Sequence, residues 1–146
     1  KNKPKKQESV GVECDMASGN IVEMDGVYYR FRFEVVAREK LDSEIPQKDY
    51  TKWFDYDKIK KCPTIRTRQT GDYLTIADGR GGMIRKSLKS YFVDQKIPRK
   101  ERDRLPILAE EDHVLWVMGY RISEYYKVTE NTKRILKVQL IRKEFA

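Results

Sequence analysis

The sequence contains one histidine, two cysteines and no long apolar run, and each shortage removes a class of function. His113 has no Ser or Cys nucleophile beside it in a known pattern, so a packed or surface histidine is expected rather than a hydrolytic centre. Cys14 and Cys62 are far apart, with neither CxxC spacing nor a neighbouring histidine, which argues against a zinc site and a disulfide framework and leaves two reduced thiols. No stretch approaches the roughly 18 apolar residues of a membrane span and no signal-peptide pattern occurs, so the expected location is the cytoplasm with no membrane partner. P-loop, GxGxxG and HExxH signatures are missing too. Gly79 to Gly82 is glycine-rich but lacks the GK[ST] ending of a nucleotide loop. Asp55 and Asp57 have no third carboxylate or histidine at ligand spacing, so a turn or cap role is expected for them and no metal.

What is present is a local excess of positive charge. Between Lys58 and Arg104 there are fourteen Lys and Arg against five acids, +9. The whole chain carries 31 against 23, +8, which leaves 17 against 18 elsewhere, −1. A cationic surface concentrated in one third of a molecule usually meets phosphates. With 146 residues, 39% of them hydrophobic and 37% charged, the chain can bury a core under a heavily solvated surface, and disorder throughout is excluded. Lys1 in place of Met, followed by the polar KNKPKKQ, reads as a piece of a longer polypeptide.

Residues 1–8 are expected to be a basic, unstructured lead-in. Residues 9–52 should form an N-terminal β subdomain and connector, and residues 53–146 the main domain. Val10, Val12 and Cys14 alternate with polar neighbours, and Asp25-Gly26 is the dipeptide of a tight hairpin. From Val27 to Val36 the alternation is cleanest, with Tyr29, Phe31, Phe33 and Val35 on one face and Arg30, Arg32 and Glu34 on the other. Arg30 and Arg32, beside Tyr28, could stack on or pair with RNA, and cross-strand salt bridges to Glu13 or Glu23 are the simpler reading of the same residues. Thr64 to Arg68 should send Ile65 inward and hold Arg66 and Arg68 on one exposed face. A helix is expected over Ile84 to Lys96, packing through Ile84, Leu88, Tyr91 and Phe92, with Arg85, Lys86, Lys89 and Lys96 on the adjoining arc. Backbone N–H groups of the Gly79 to Gly82 loop are candidates for close approach to a phosphate. Pro98 permits a fresh helical turn carrying Arg99, Arg102 and Arg104, after which short strands begin near Ile107, His113, Tyr120 and Ile135. The fold class is therefore α+β: a small, mostly antiparallel β-sheet with one main α-helix and short helical turns packed on it, preceded by an N-terminal β-hairpin or meander.

The segments IRTRQTGD, RKSLKSYFVDQKIPRKERDRLP and HVLWVMGYRISEYYKVTENTKR, in that order around a glycine loop, resemble the C-terminal domain of the tRNA(Ile)-lysidine synthase family over about Phe54 to Leu140. Two positions depart from the family pattern: Gln69-Thr70 stands for its Lys-Pro, and Tyr73 for its usual Arg. The resemblance implies a parent ligase that uses ATP, with Mg, to adenylate the wobble cytidine of tRNA(Ile) with a CAU anticodon, after which lysine displaces AMP. That chemistry belongs to an N-terminal PP-loop domain with an SGGxDS motif, which this sequence lacks, so the stretch itself is expected to hold no cofactor and to bind tRNA without reacting on it. Its implied partners are the tRNA and the protein's own N-terminal catalytic domain. The alternative is a structural or dimerisation module packing on that domain or forming a homodimer. Candidate RNA contacts are Arg66, Arg68, Arg85, Lys86, Lys89, Lys96, Arg99, Arg102 and Arg104. Gly71, Asp72, Leu88, Phe92, Pro98, Pro106, Trp116 and Gly119 are assigned to turns and core.

Overall fold

A computed structural model describes residues 10–11, 19–24, 27–41, 44–45, 48 and 50–143. Among these, strands β1 (Val10–Gly11), β2 (Gly19–Met24), β3 (Val27–Ala37), β4 (Thr51–Asp55), β5 (Thr64–Arg66), β6 (Tyr73–Ala77), β7 (Met83–Ser87), β8 (Ile107–Glu110), β9 (His113–Val117), β10 (Arg121–Ile122) and β11 (Arg134–Lys143) form two sheets. One runs β1-β5-β8-β9-β6-β7 with β10 added beside β9, and the other runs β2-β3-β11-β4. Pairing is antiparallel except between β6 and β9. Helices α1 (Leu88–Asp94) and α2 (Arg99–Arg102) complete the α+β architecture.

The sheets face each other across a core built from period-two alternation. Phe31 and Phe33 of β3, with Leu136, Val138 and Leu140 of β11, meet Ile65, Leu108, Leu115 and Trp116 from the first sheet, all buried. Strands β2 and β3 therefore share a sheet with β11, and the β3 aromatics share a core with Trp116. A second cluster lies on the other face of the first sheet, where α1 packs Leu88, Tyr91 and Phe92 onto Leu74, Ile107, Val114 and Val117. Buried on both faces, β9 must be apolar almost without interruption, which accounts for the VLWV run. A register shift between Leu108 and Ala109 leaves Leu115 unpaired, so Leu115 and its neighbour Trp116 both enter the inter-sheet core.

The helix is shorter than its periodicity suggests. Residues 83–87 are strand, paired with β6 from Ala77↔Met83 to Tyr73↔Ser87, and helix begins only at Leu88. Ser87 starts it, its hydroxyl accepting from the Ser90 N–H at 3.0 Å, while the Leu88 N–H donates to the Asp72 carbonyl at 2.9 Å. Hairpin pairing overrides the apparent helical phase, so Ile84, expected in the core, is 50% exposed. At the far end the Lys96 N–H bonds the Val93 carbonyl and the Ile97 N–H that of Phe92, a Schellman closure that holds Lys96 at φ 57°. Pro98 caps α2, and Pro106 is buried.

Other expectations have definite outcomes. Asp55 takes the turn role, accepting from the Asp57 N–H at 3.1 Å and from the Thr132 hydroxyl at 3.1 Å, and Asp57 pairs with Arg134 at 2.6 Å. Met24 lies opposite Val27 across the β2–β3 hairpin, but Asp25-Gly26 itself falls outside the described residues, as do residues 1–8, Val12, Glu13, Cys14 and the side chain of Glu23. No described helix is long and apolar enough to cross a membrane.

Candidate nucleic-acid interface

The loop between β5 and β6 is held by a buried ion pair. Arg66 donates bidentately to Asp72, at 2.9 and 2.8 Å, and also to the carbonyls of Glu111 at 2.8 Å and Thr67 at 3.0 Å. The arginine side chain is 8% exposed and the carboxylate 1%. Asp72 also accepts from the Gln69 N–H at 2.7 Å, and Gly71 between them sits at φ 95°, a conformation that favours glycine. Arg66, expected as an exposed RNA contact, is thus sealed inside and shapes the loop. Strand alternation predicts an exposed face for Arg66, but β5 ends at Arg66 itself and the chain turns there.

Around this loop lies an open cleft of about 1080 Å³, lined by Arg68, Gln69, Thr70, Gly71, Tyr73, Arg85, Leu88, Lys89 and Asp103. Three of the nine candidate cations line it. Arg68 is held at 2.8 Å by Asp103 and lies 5.6 Å from the Phe92 ring centre. Arg85 and Lys89 are exposed and, among the described residues, no carboxylate pairs with either. The remainder lie elsewhere. Lys86 follows Arg85 on a strand, so it projects to the opposite sheet face and pairs with Asp94 of α1. Arg102 donates to the Ile97 carbonyl at 2.7 Å and ties α2 to the end of α1. Lys96, Arg99 and Arg104 are exposed near that corner.

The glycine turn is not an anion cradle. The Asp78 carboxylate accepts from the Arg80 N–H at 2.7 Å and the Gly82 N–H at 3.0 Å, the groups a phosphate would need. Those bonds hold the Asp78 carboxyl below its usual range.

A second cavity of about 500 Å³ begins on the other side of Arg85, and sequence reasoning missed it. Tyr73, His113, Tyr125 and Tyr126 line it together with Lys58, Lys60, Lys61, Glu110, Glu111 and Asp112. His113 stacks on Tyr73 with ring centres 4.5 Å apart and touches Tyr126 at 4.8 Å and Tyr125 at 5.3 Å. Burial pulls its pKa below the ordinary histidine value, Glu110 and Asp112 oppose this, and Arg85 adds to it. Glu110 is saturated by the Tyr126 hydroxyl at 2.6 Å and by the N–H groups of Lys60 and Lys61 at 2.6 and 2.7 Å. Burial, then the Glu110 bond, pushes the Tyr126 hydroxyl's pKa far up. Thr75 and Ser123 share a buried hydroxyl pair, and each hydroxyl lies 3.5 Å from His113 Nε2. The signal available in the sequence was the Tyr125-Tyr126 pair, but Thr75 and Tyr73 on the far side of the cavity lie some fifty residues away along the chain.

The arrangement is that of a β-rich module presenting an open basic cleft beside an aromatic wall. Residues 64–140 match the family model described as the TilS substrate C-terminal domain. The chain belongs to this family, the C-terminal domain of tRNA(Ile)-lysidine synthase. A tRNA(Ile)-lysidine synthase of Caldanaerobacter subterraneus subsp. tengcongensis is 36% identical over 137 residues, 94% of this chain and 28% of that protein. One from Clostridium perfringens is 33% identical over 144 residues, 98% of the chain and 29% of the relative. The Clostridioides difficile protein is 42% identical over 88 residues, 60% and 18% respectively. The chain thus spans under a third of the length of these curated relatives. A crystal structure of the TilS C-terminal domain shares the fold, with a TM-score of 0.66 at 23% identity, covering 94% of this chain and all of that one.

Proposed function

We propose that this chain is the tRNA-gripping part of a tRNA(Ile)-lysidine synthase and holds the RNA backbone in the cleft between the 67–72 loop, β7 and α1. The observation that carries the reading is that, among the described residues, no carboxylate pairs with Arg85 or Lys89, which stand beside Arg68 around an open cleft, while Lys61, Arg66 and Lys86 are each paired with one elsewhere. A-form RNA offers its phosphates and a wide, shallow minor groove, so such a cleft reads shape and 2′-hydroxyls more than base edges.

In this reading the parent protein is an ATP-dependent ligase acting on tRNA(Ile) with a CAU anticodon in the cytoplasm. ATP and its magnesium are held by an N-terminal catalytic domain that residues 1–146 do not contain, and this chain packs against that domain. The 67–72 loop and the α1–α2 corner, with Lys96, Arg99, Arg102 and Arg104, extend the grip along the tRNA body. The deciding experiment is binding of the chain to tRNA(Ile) and to an elongator methionine tRNA at two salt concentrations. Affinity should fall with salt, and a preference for tRNA(Ile) should survive at the higher one. Equal binding of both tRNAs, vanishing together as salt rises, would reduce the chain to a non-specific polycation.

A further inference from the structure

Arg85 also tops a column, Arg85–Tyr73–His113, that leads from the cleft into the second cavity. The Arg85 guanidinium carbon stands 4.2 Å over the Tyr73 ring centre, and Tyr73 in turn lies 4.5 Å from His113 with 22° between the planes. Below, His113 rests on Tyr125 and Tyr126, and Tyr126 is bolted to Glu110 through its hydroxyl. Thr75, opposite Arg85 in the β6–β7 pairing, accepts from the Tyr125 N–H at 3.0 Å and bonds Ser123, so the strand beneath the column is fixed as well. Arg85 at the top is exposed, Tyr73 and His113 are half-buried, and Tyr126 at the base is buried. Arg85 lines both cavities, so its side chain stands where the two open to solvent. Salt bridging explains little here, because no described carboxylate pairs with Arg85.

A flat, delocalised cation held over a ring offers its second face to another π-system, and nucleobases stack on arginine planes as readily as on aromatics. A base inside a duplex has both faces covered. We propose that the outer face of Arg85 is a stacking platform for one unpaired nucleobase adjoining the helical RNA that lies in the cleft. Arg68 and Lys89 are then left to meet the phosphates on either side of it. This rests on the RNA-binding reading above and adds the class of nucleotide recognised.

The test uses the 146-residue chain and three stem-loop RNAs: blunt, carrying a two-nucleotide single-stranded extension, and carrying the same extension with abasic residues, which keep the phosphates and lose the bases. The natural extension should tighten binding over the blunt form by roughly tenfold, the scale of one base stacked on a protein plane, and the abasic one should recover little of this. Arg85→Lys keeps the charge without the plane and should bring the ratio of extended to blunt affinity close to one. An abasic extension as good as the natural one, or a ratio preserved in Arg85→Lys, overturns the platform. If tRNA binds but blunt and extended stem-loops bind equally, this inference alone fails. If tRNA does not bind, the RNA-binding reading fails with it.

Discussion

The two cavities that meet at Arg85 contain similar numbers of cations in opposite circumstances. Around the larger, Arg68, Arg85 and Lys89 face one exposed acid, Asp103, because Asp72 is consumed by Arg66 below the surface. Around the smaller, Lys58, Lys60, Lys61 and Arg85 face Glu110, Glu111 and Asp112, with Lys61 bonded to Glu111 at 2.7 Å. The proximity of Glu111 raises the Lys61 pKa, as a settled partner does. Counting lysines along the sequence treats the two sides as equal. What distinguishes them is where the acids fold to, and whether an acid near a cation is already spoken for.

The sharpest way to break this contrast is to remove the buried anion. Asp72→Ala leaves the Arg66 charge stranded and frees the loop that floors the larger cleft, and it should cost about 3–5 kcal/mol of stability, read by urea denaturation. A loss within the range of an exposed ion pair would mean that the loop holds itself. The next effect concerns the surface charges. Arg68→Ala with Lys89→Ala should weaken tRNA binding and lower the salt slope by about one unit per lost phosphate contact, while Lys60→Ala with Lys61→Ala leaves both nearly unchanged. Equal losses from the two pairs would erase the distinction between the cavities.

The smallest effect is a pH dependence that belongs to the aromatic side. Burial lowers the His113 pKa from 6.5, so the unfolded chain binds its proton more readily than the folded one. Stability is then full above that value and declines as pH falls through it. Melting temperatures between pH 7.5 and 5.5 should drop in the parent chain, with Glu110, Asp112 and Arg85 setting the extent, and should drop less in His113→Phe. An identical slope in the two proteins would assign the effect to another group.

Much of the scaffold was legible because burial leaves a local pattern. Phe31 and Phe33 alternate with Arg32 and Glu34, and the apolar stretch after His113 has the uniform character of a strand covered on both sides. The helix start was not, since Ile84, Leu88, Tyr91 and Phe92 fit one helical face whether or not residues 83–87 are strand. Ser87, a good N-cap residue, was the available hint. The cleft was legible only as excess charge. Arg66 meets Asp72 because Gly71 turns the chain back, and Lys61 meets Glu111 across fifty residues, so neither pairing leaves a periodic trace. The aromatic column has the same difficulty, with Tyr73, Arg85 and His113 joined only by the β6–β7 and β6–β9 pairings.

Strand β11 lies between β3 and β4 and forms ladders with both, opposing Ala37 with Arg134 and Asp55 with Ile135. On a ribosome, β3 and the strand of Trp53 must therefore wait until residue 143 has left the exit tunnel before β11 can match their edges. Closure of that sheet is a late event governed by a long chain loop, and nascent chains halted near residue 133 would display two unmatched β edges to whatever chaperone or protease is nearby.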